Sequence, residues 1–254
     1  MRHILNVFDE MNVYWAEVAD QNSTEKQVQL IKNVLTPHGL ILDLACGTGR
    51  HSIPLSKEGY DVVGLDISPN LLKIAKTRLS SVQLIRADMQ HLSFKPQAFA
   101  AAVSMDTSLG YLPTEQDDAE SLLELHQTLH KDGILIVDVF NRSQLKEKYA
   151  AKNGVNSKQR EYPSFFLSQK RTVNKNGLKL RDLWTVSDKA DGKTRVFRHI
   201  VRLYPSKVLH NLLEQAGFAV TRTIGDYEGQ QFNLTSKRLI LVANPKEVLP
   251  TNVS

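Results

Sequence analysis

The chain has 254 residues, 41 % hydrophobic and 23 % charged, with 13 glycines and 9 prolines. That composition excludes a collagen, a coiled coil and a wholly disordered chain, and the length suits one large domain, or one domain with an elaboration, around a sizeable core. The net charge of +5 is unevenly spread, because residues 142–207 hold 17 Lys and Arg against 5 Asp and Glu while residues 1–140 hold 11 against 18. Two explanations compete: solvated hairpin faces, or a basic surface that draws an anionic acceptor or nucleic acid. The longest apolar run, Ala98 to Val103, has six residues, too few to span a membrane. Asp9 and Glu10 beside a short apolar stretch argue against a secretory signal. The single cysteine, Cys46, excludes an internal disulfide and a cysteine-held zinc, and histidine spacing predicts no metal site. A reducing, cytoplasmic setting is expected.

From Val7 to Leu35 the apolar residues fall at helical spacing, with Asn22, Ser23 and Thr24 as candidate N-caps. Thr36-Pro37-His38-Gly39 breaks the pattern. Leu40 to Ala45 reads as a buried strand ending in the turn Cys46-Gly47-Thr48-Gly49, and a helix follows to Lys57. Asp61 to Asp66 is a second strand. Ser68 caps a helix with Pro69 in its first turn and Leu71, Leu72, Ile74, Ala75 and Leu79 inward. Strands are expected at Val82–Arg86, Ala98–Met105 and Gly133–Val139, with a helix over 116–130. Alternating helices and near-continuous apolar strands predict a parallel sheet covered on both faces, a doubly wound α/β fold. After Asn141 the pattern changes to antiparallel strands at 165–173, 178–186 and 194–204, joined by hairpin-type turns. Lys152 to Ser157 is expected as a mobile loop. A helix from Ser206 and strands at 218–224 and 239–243 complete the chain. The expected division is 1–36 as an N-terminal helical lid, 37–141 with 205–246 as the main domain, and 142–204 as an antiparallel insert.

The strongest chemical signal is Ile41-Leu42-Asp43-Leu44-Ala45-Cys46-Gly47-Thr48-Gly49. Glycines at the end of a first strand let backbone approach a ligand, and Asp66, at the end of the second strand, can accept from ribose hydroxyls. A dinucleotide or S-adenosylmethionine fits that much. The dinucleotide fingerprint wants a third glycine where Ser52 stands, and Asp43 suits a cationic ligand better than a pyrophosphate. The residues favour S-adenosylmethionine.

These segments resemble the class I S-adenosylmethionine-dependent methyltransferases over roughly residues 38–141. Ile41–Gly49 resembles the first motif, Val62–Ser68 the second, Arg86-Ala87-Asp88-Met89 the third and Phe99–Met105 the fourth; Ala45 stands where many members have glycine. The resemblance implies a Rossmann-like seven-stranded sheet with its last strand antiparallel. It implies S-adenosylmethionine as cofactor, with Gly47 and Gly49 passing its methionine and ribose parts, together with the Ala45 and Cys46 backbone. Asp43 would lie near the amino group, Asp66 on the ribose, Ile67 on the adenine, Asp88 and Met89 at the adenine edge, and Ser104 and Met105 beside the sulfonium. Val103 to Leu112, with His130-Lys131-Asp132-Gly133, resembles a small-molecule subgroup that includes amino-sugar and peptide amino-terminus N-methyltransferases, whose antiparallel insert lids the active site. The expected acceptor is small, taking methyl on N or O. A nucleic-acid acceptor is disfavoured, because Asp106-Thr107-Ser108-Leu109 lacks an Asn/Asp-Pro-Pro-Tyr-like tetrapeptide. No membrane partner is expected, and oligomeric state is left open. A non-catalytic cofactor-binding module and a nicotinamide oxidoreductase are the alternatives.

Tyr111, Asp106 and His51, in that order, are the candidate catalytic residues. A general base is needed only if the acceptor arrives protonated. Tyr14 and Trp15 are candidates for a lid over the cofactor, Trp184, Phe197 and Tyr204 for the insert's inner face, and His199 and Asp226 for proton acceptors.

Overall fold

The computed structural model describes residues 2–20, 23–35, 39–78 and 82–246, with the side chains of 2–6 and 20 left aside. Asn22, Leu79 and the break at 36–38 lie outside the described residues. Two sheets organise the chain. The larger has seven strands in the order β10-β11-β5-β4-β1-β2-β3, formed by β1 (Leu40–Leu44), β2 (Asp61–Asp66), β3 (Gln83–Arg86), β4 (Phe99–Ser104), β5 (Leu129–Phe140), β10 (Phe218–Ile224) and β11 (Arg238–Pro245). Adjacent strands are parallel except around β11, which runs antiparallel to both β5 and β10. Alternation along each strand divides the core in two. Leu42 and Leu44 of β1 pack with Leu122 and Leu125 of α5 (Glu115–Thr128) and with Leu209 and Leu213 of α7 (Ser206–Gln215). Ile41 packs on the other face with Val28, Leu30 and Ile31 of α2 (Thr24–Val34) and Leu55 of α3 (Ser52–Lys57). Each such side chain contributes roughly 1.5–3 kcal/mol on burial. The doubly wound α/β class is therefore the observed one.

The second sheet has the order β6-β7-β8-β9, all antiparallel: β6 (Val155–Glu161), β7 (Phe165–Val173), β8 (Lys179–Asp188) and β9 (Thr194–Arg202). It has one strand more than expected, because the segment read as a mobile loop opens β6, which pairs with β7 from Val155↔Thr172 to Glu161↔Phe166. A charged, exposed edge strand has no buried face to impose alternation on its sequence, and such edges resist pairing with other chains. The helix expected over 116–130 ends at Thr128, where Leu129 turns extended and begins β5.

Helix α1 (Arg2–Asp20) packs between the second sheet and the start of α4 (Pro69–Arg78). It kinks at Asn12, whose φ is 43°, a region that asparagine tolerates better than most residues. Val7, Met11 and Tyr14 pack against Phe165, Trp184 and Phe197 of the second sheet. On the other side Asp9 accepts from Ser68 Oγ at 2.6 Å and from Asn70 N at 2.9 Å, at the start of α4.

Candidate active site

A cleft opens at the carboxyl ends of β1, β2, β3 and β4, where such sheets bind ligands. It encloses about 1030 Å³ of non-atom space, part of it open to solvent.

The first wall is the turn after β1. Gly47 and Gly49 have φ of 56° and 74°, so the turn needs left-handed backbone twice. A Cβ on Gly47 would meet only Leu71 Cδ1, at 3.9 Å, because that position faces the cleft. A Cβ on Gly49 would meet Ile53 Cδ1 at 3.0 Å, so Gly49 serves close packing of α3, and it does not line the cleft, contrary to expectation. Ala45, at φ 59°, is also left-handed, which gives a physical reason for glycine at that place. Left-handed backbone costs an L-residue roughly 1–2 kcal/mol. Ala45→Gly is expected to stabilise the ligand-free protein by about 1 kcal/mol, raising Tm by about 2–4 °C in a thermal melt.

Carboxylates brace this turn. Asp43, 1 % exposed, accepts from Ser52 N at 3.1 Å and Ser52 Oγ at 2.5 Å. Burial pushes its carboxyl up to about 6 against the pull of those bonds. Ser52, the residue in place of a third glycine, is thus committed to Asp43. Asp66 accepts from Gly47 N and Ser68 N, both at 2.8 Å, one on each oxygen. Each oxygen keeps a second lone pair for a ligand. Burial raises the Asp66 carboxyl, and the backbone N–H groups of Ser68 and Gly47 draw it back. Burial beside Asp43 and Asp66 pushes the Cys46 thiol well up, so no thiolate chemistry is indicated. Ile67, Ala87, Asp88 and Met89 continue the wall.

The opposite wall follows β4. Asp106 and Thr107 have φ of 55° and 70°, two successive left-handed residues without a glycine. A network holds them. Asp106 N donates to Asp138 Oδ2 at 2.9 Å, and Thr107 N donates to the Asp138 carbonyl at 2.8 Å. Arg238 bridges Asp138 Oδ1 at 2.7 Å and Thr107 Oγ1 at 2.8 Å. Tyr227 Oη donates to Asp138 Oδ2 at 2.9 Å and accepts from Gln27 Nε2 at 2.8 Å. Arg50 spans the two walls, donating to Asp106 Oδ2 at 3.0 Å, to Thr24 Oγ1 at 2.9 Å and to Gln27 Oε1. His51 Nε2 lies 3.0 Å from the same Gln27 oxygen; burial lowers its pKa well below the usual value, and neighbouring Arg50 adds to this, so the ring is neutral and part of the brace. Burial also raises the Tyr111 hydroxyl.

Among the expected site residues, Asp43, Ala45, Cys46, Gly47, Asp66, Ile67, Asp88, Met89, Met105, Asp106, His51 and Tyr111 all line this cleft. Two more do not. Tyr14 turns to the second sheet, edge-on to Phe165 at 5.1 Å and hydrogen-bonded to Asp188; its neighbour Trp15 and Phe8 form the roof instead. Ser104 is buried behind the lining, its hydroxyl without a partner. Asp226 accepts from the N–H groups of Glu228 and Gln230 in a turn. Sequence reasoning missed Arg50, Gln27, Asp138 and Arg238, although an arginine directly after the glycine turn in an acidic half was a visible signal. No group of His, Cys, Asp and Glu among the described residues could hold a metal, and no helix among them is long and apolar enough to cross a membrane.

The sheet order and the braced glycine turn define a doubly wound protein with a nucleoside-type cofactor cleft. Residues 41–133 match the family described as "Methyltransferase domain". YqeM of Bacillus subtilis, whose name marks it as a provisional methyltransferase, is 27 % identical over 86 % of this chain and 89 % of its own length. The dTDP-3-amino-3,4,6-trideoxy-alpha-D-glucopyranose N,N-dimethyltransferase of Streptomyces venezuelae is 35 % identical over 39 % of this chain and 41 % of its own, so this chain spans about two fifths of that relative. The solved structure of CalS10, an amino pentose methyltransferase from Micromonospora echinaspora, is similar with a TM-score of 0.67 at 18 % identity, covering 92 % of this chain and 97 % of that one. Residues 41–133 therefore carry a methyltransferase domain, on a fold that the chain shares with such solved methyltransferases.

Proposed function

We propose that the chain is a class I S-adenosylmethionine-dependent methyltransferase that methylates a nitrogen, or less favourably an oxygen, of a small acceptor held between the loop after β4 and the Phe8–Trp15 roof. The observation that carries this is the continuity of one cleft from Asp66, Ile67 and Asp88, through the glycine turn, to Met105, Asp106 and Tyr111. The residues fit the cofactor: Gly47 leaves room over the turn, Asp66 has spare acceptor capacity for ribose hydroxyls, and Asp43 offers negative charge toward the ammonium end. Ile67, Ala87 and Met89 offer apolar surface to the adenine, with Asp88 at its edge. When bound, the cofactor supplies an electrophilic methyl group. The chain's part is alignment and exclusion of water, which can supply much of the acceleration. The nitrogen preference is supported by the name of the Streptomyces relative. We infer the division 1–36, 37–141 with 205–246, and 142–204, the last covering the acceptor end.

An anionic acceptor draws little support from the insert. Lys179, Arg181 and Arg198 lie on its exposed face. Three other arginines are paired: Arg171 with Asp182 at 2.6 Å, Arg195 with Asp191 at 2.6 Å, and Arg202 with Asp118. Reversing Lys179, Arg181 or Arg198 is expected to move stability by no more than about 0.5 kcal/mol. Arg202→Met is expected to cost about 2 kcal/mol, because Asp118, buried and also held by Tyr204 Oη at 2.6 Å and Gly110 N at 3.1 Å, loses its counter-charge. Urea unfolding of the four variants checks both statements. The function is tested by calorimetry with S-adenosylmethionine, then by formation of S-adenosylhomocysteine with a panel of amines and hydroxyl compounds. Absence of cofactor binding would overturn it.

A further inference from the structure

Behind Tyr111, on the inner face of the insert, a buried polar cluster stands outside the cofactor site. The registers Arg171↔Asp182 and Asp182↔His199 place three side chains side by side on neighbouring strands. Asp182, 3 % exposed, accepts from Arg171 Nε at 2.6 Å and from Gln169 Nε2 at 2.8 Å. His199 Nε2 lies 3.5 Å from the same Asp182 oxygen. His199 is 4 % exposed, and its Nδ1 has no hydrogen-bond partner. Its ring is bounded by Phe8 at 5.4 Å, Tyr111 at 5.8 Å and Trp184 at 6.2 Å. Phe8 and Tyr111, themselves edge to face at 5.0 Å, both line the cleft. One layer of side chains therefore separates His199 from the cleft.

An orphaned buried nitrogen costs roughly 1–3 kcal/mol, so its retention asks for a function. A carboxylate at Nε2 fixes the proton there and leaves the Nδ1 lone pair available. We propose that His199, oriented by Asp182, takes the proton from an amine acceptor that enters by displacing the Phe8 ring from Tyr111. This rests on the N-methyltransferase reading above. An aliphatic amine arrives as an ammonium, without a lone pair. One N–H proton passes to His199 Nδ1, leaving a neutral amine and an imidazolium paired with Asp182. The freed lone pair forms the N–C bond to the methyl carbon as the C–S bond breaks, with its electrons left on sulfur. The other polar groups around the Arg171–Asp182–His199 cluster suit this step. Arg171 on β7 is matched by Asp182. The hydroxyls of Tyr111, after β4, and Tyr149, on α6 (Arg142–Ala150), are raised by burial and stay neutral. Phe8 and Trp15 of α1 do not titrate.

Two measurements on the full chain test this. In the first, ¹⁵N-histidine spectra of the cofactor-free protein are followed from about pH 5 to pH 9, with His199→Gln for assignment. The expected result is a ring protonated on Nε2 and bare at Nδ1 that loses its tautomer preference in Asp182→Asn. A proton resident on Nδ1, or a tautomer preference unchanged in Asp182→Asn, overturns the proposal. In the second, S-adenosylmethionine turnover is measured with glycine and with the dTDP-3-amino sugar as probes. For a probe that is methylated, His199→Gln should lower turnover about 100-fold at pH 7, with the loss shrinking as pH nears the amine's own pKa and calorimetric cofactor affinity unchanged. A loss independent of pH, or no loss, overturns the proposal while the methyltransferase reading stands. A wild-type protein that binds no S-adenosylmethionine sinks that reading itself.

Discussion

Asp66→Ala is expected to weaken S-adenosylmethionine binding about 10- to 100-fold. Asp66 ends β2 with both oxygens directed to backbone N–H groups, Gly47 on one and Ser68 on the other. Ribose hydroxyls would donate to the remaining lone pairs, and hydrogen bonds to a charged acceptor contribute roughly 1.5–3 kcal/mol, with about 1.4 kcal/mol per tenfold in affinity. Removing the carboxylate also strips Gly47 N of its partner, so the glycine turn loses the bond that ties it to β2. Both effects act in the same direction. Asp66→Asn keeps one acceptor oxygen and should fall between wild type and alanine. Calorimetry on protein shown folded by circular dichroism measures the series. Unchanged affinity in Asp66→Ala would remove Asp66 from the site.

The order of affinities in that series also bears on what the chain discloses before it is folded. Asp43 and Asp66 could be placed because they stand at the carboxyl ends of the apolar strands β1 and β2, and Asp88 because it comes two residues after β3; a parallel sheet brings these strand ends to one edge. The same logic located Met105, Asp106 and Tyr111. It failed for Tyr14, because the helix period does not say which neighbour a buried aromatic faces, and α1 has two, α4 and the insert. Arg238 and Asp138 escaped notice for a related reason. They meet across 100 residues, inside strands whose apolar flanks gave no hint of a buried ion pair. The strand β6 was invisible because an exposed polar edge lacks the alternation that marks a half-buried strand. The basic surplus is a different case. Composition counts charges without saying where they sit: Arg171 and Arg195 are matched by Asp182 and Asp191 within the insert, and Arg202 by Asp118 of α5.

Gly47→Val is expected to abolish detectable cofactor binding, a loss beyond about 100-fold, or roughly 3 kcal/mol. Two effects combine here. Gly47 has φ 56°, a conformation that is a steric outlier for a β-branched residue and costs roughly 1–3 kcal/mol when imposed. The turn would relieve that strain by moving, and Gly47 N is one of the groups that fix Asp66. If the turn holds, the added side chain projects into open space whose nearest neighbour is Leu71 Cδ1, at 3.9 Å from the new Cβ. That space belongs to the cleft, so the protein can still fold while the valine methyls stand where a ligand must pass. Gly49→Val supplies the contrast. Its Cβ would lie 3.0 Å from Ile53 Cδ1 and 3.4 Å from Ala75 Cβ, so the damage there falls on packing of α3 and α4, and stability drops first. Thermal melts paired with calorimetry separate the two: Gly47→Val should stay folded, melting no more than about 10 °C below wild type, yet bind nothing, whereas Gly49→Val adds the packing clash to the same backbone strain and should melt lower still. Normal affinity in a folded Gly47→Val protein would place the cofactor away from this turn.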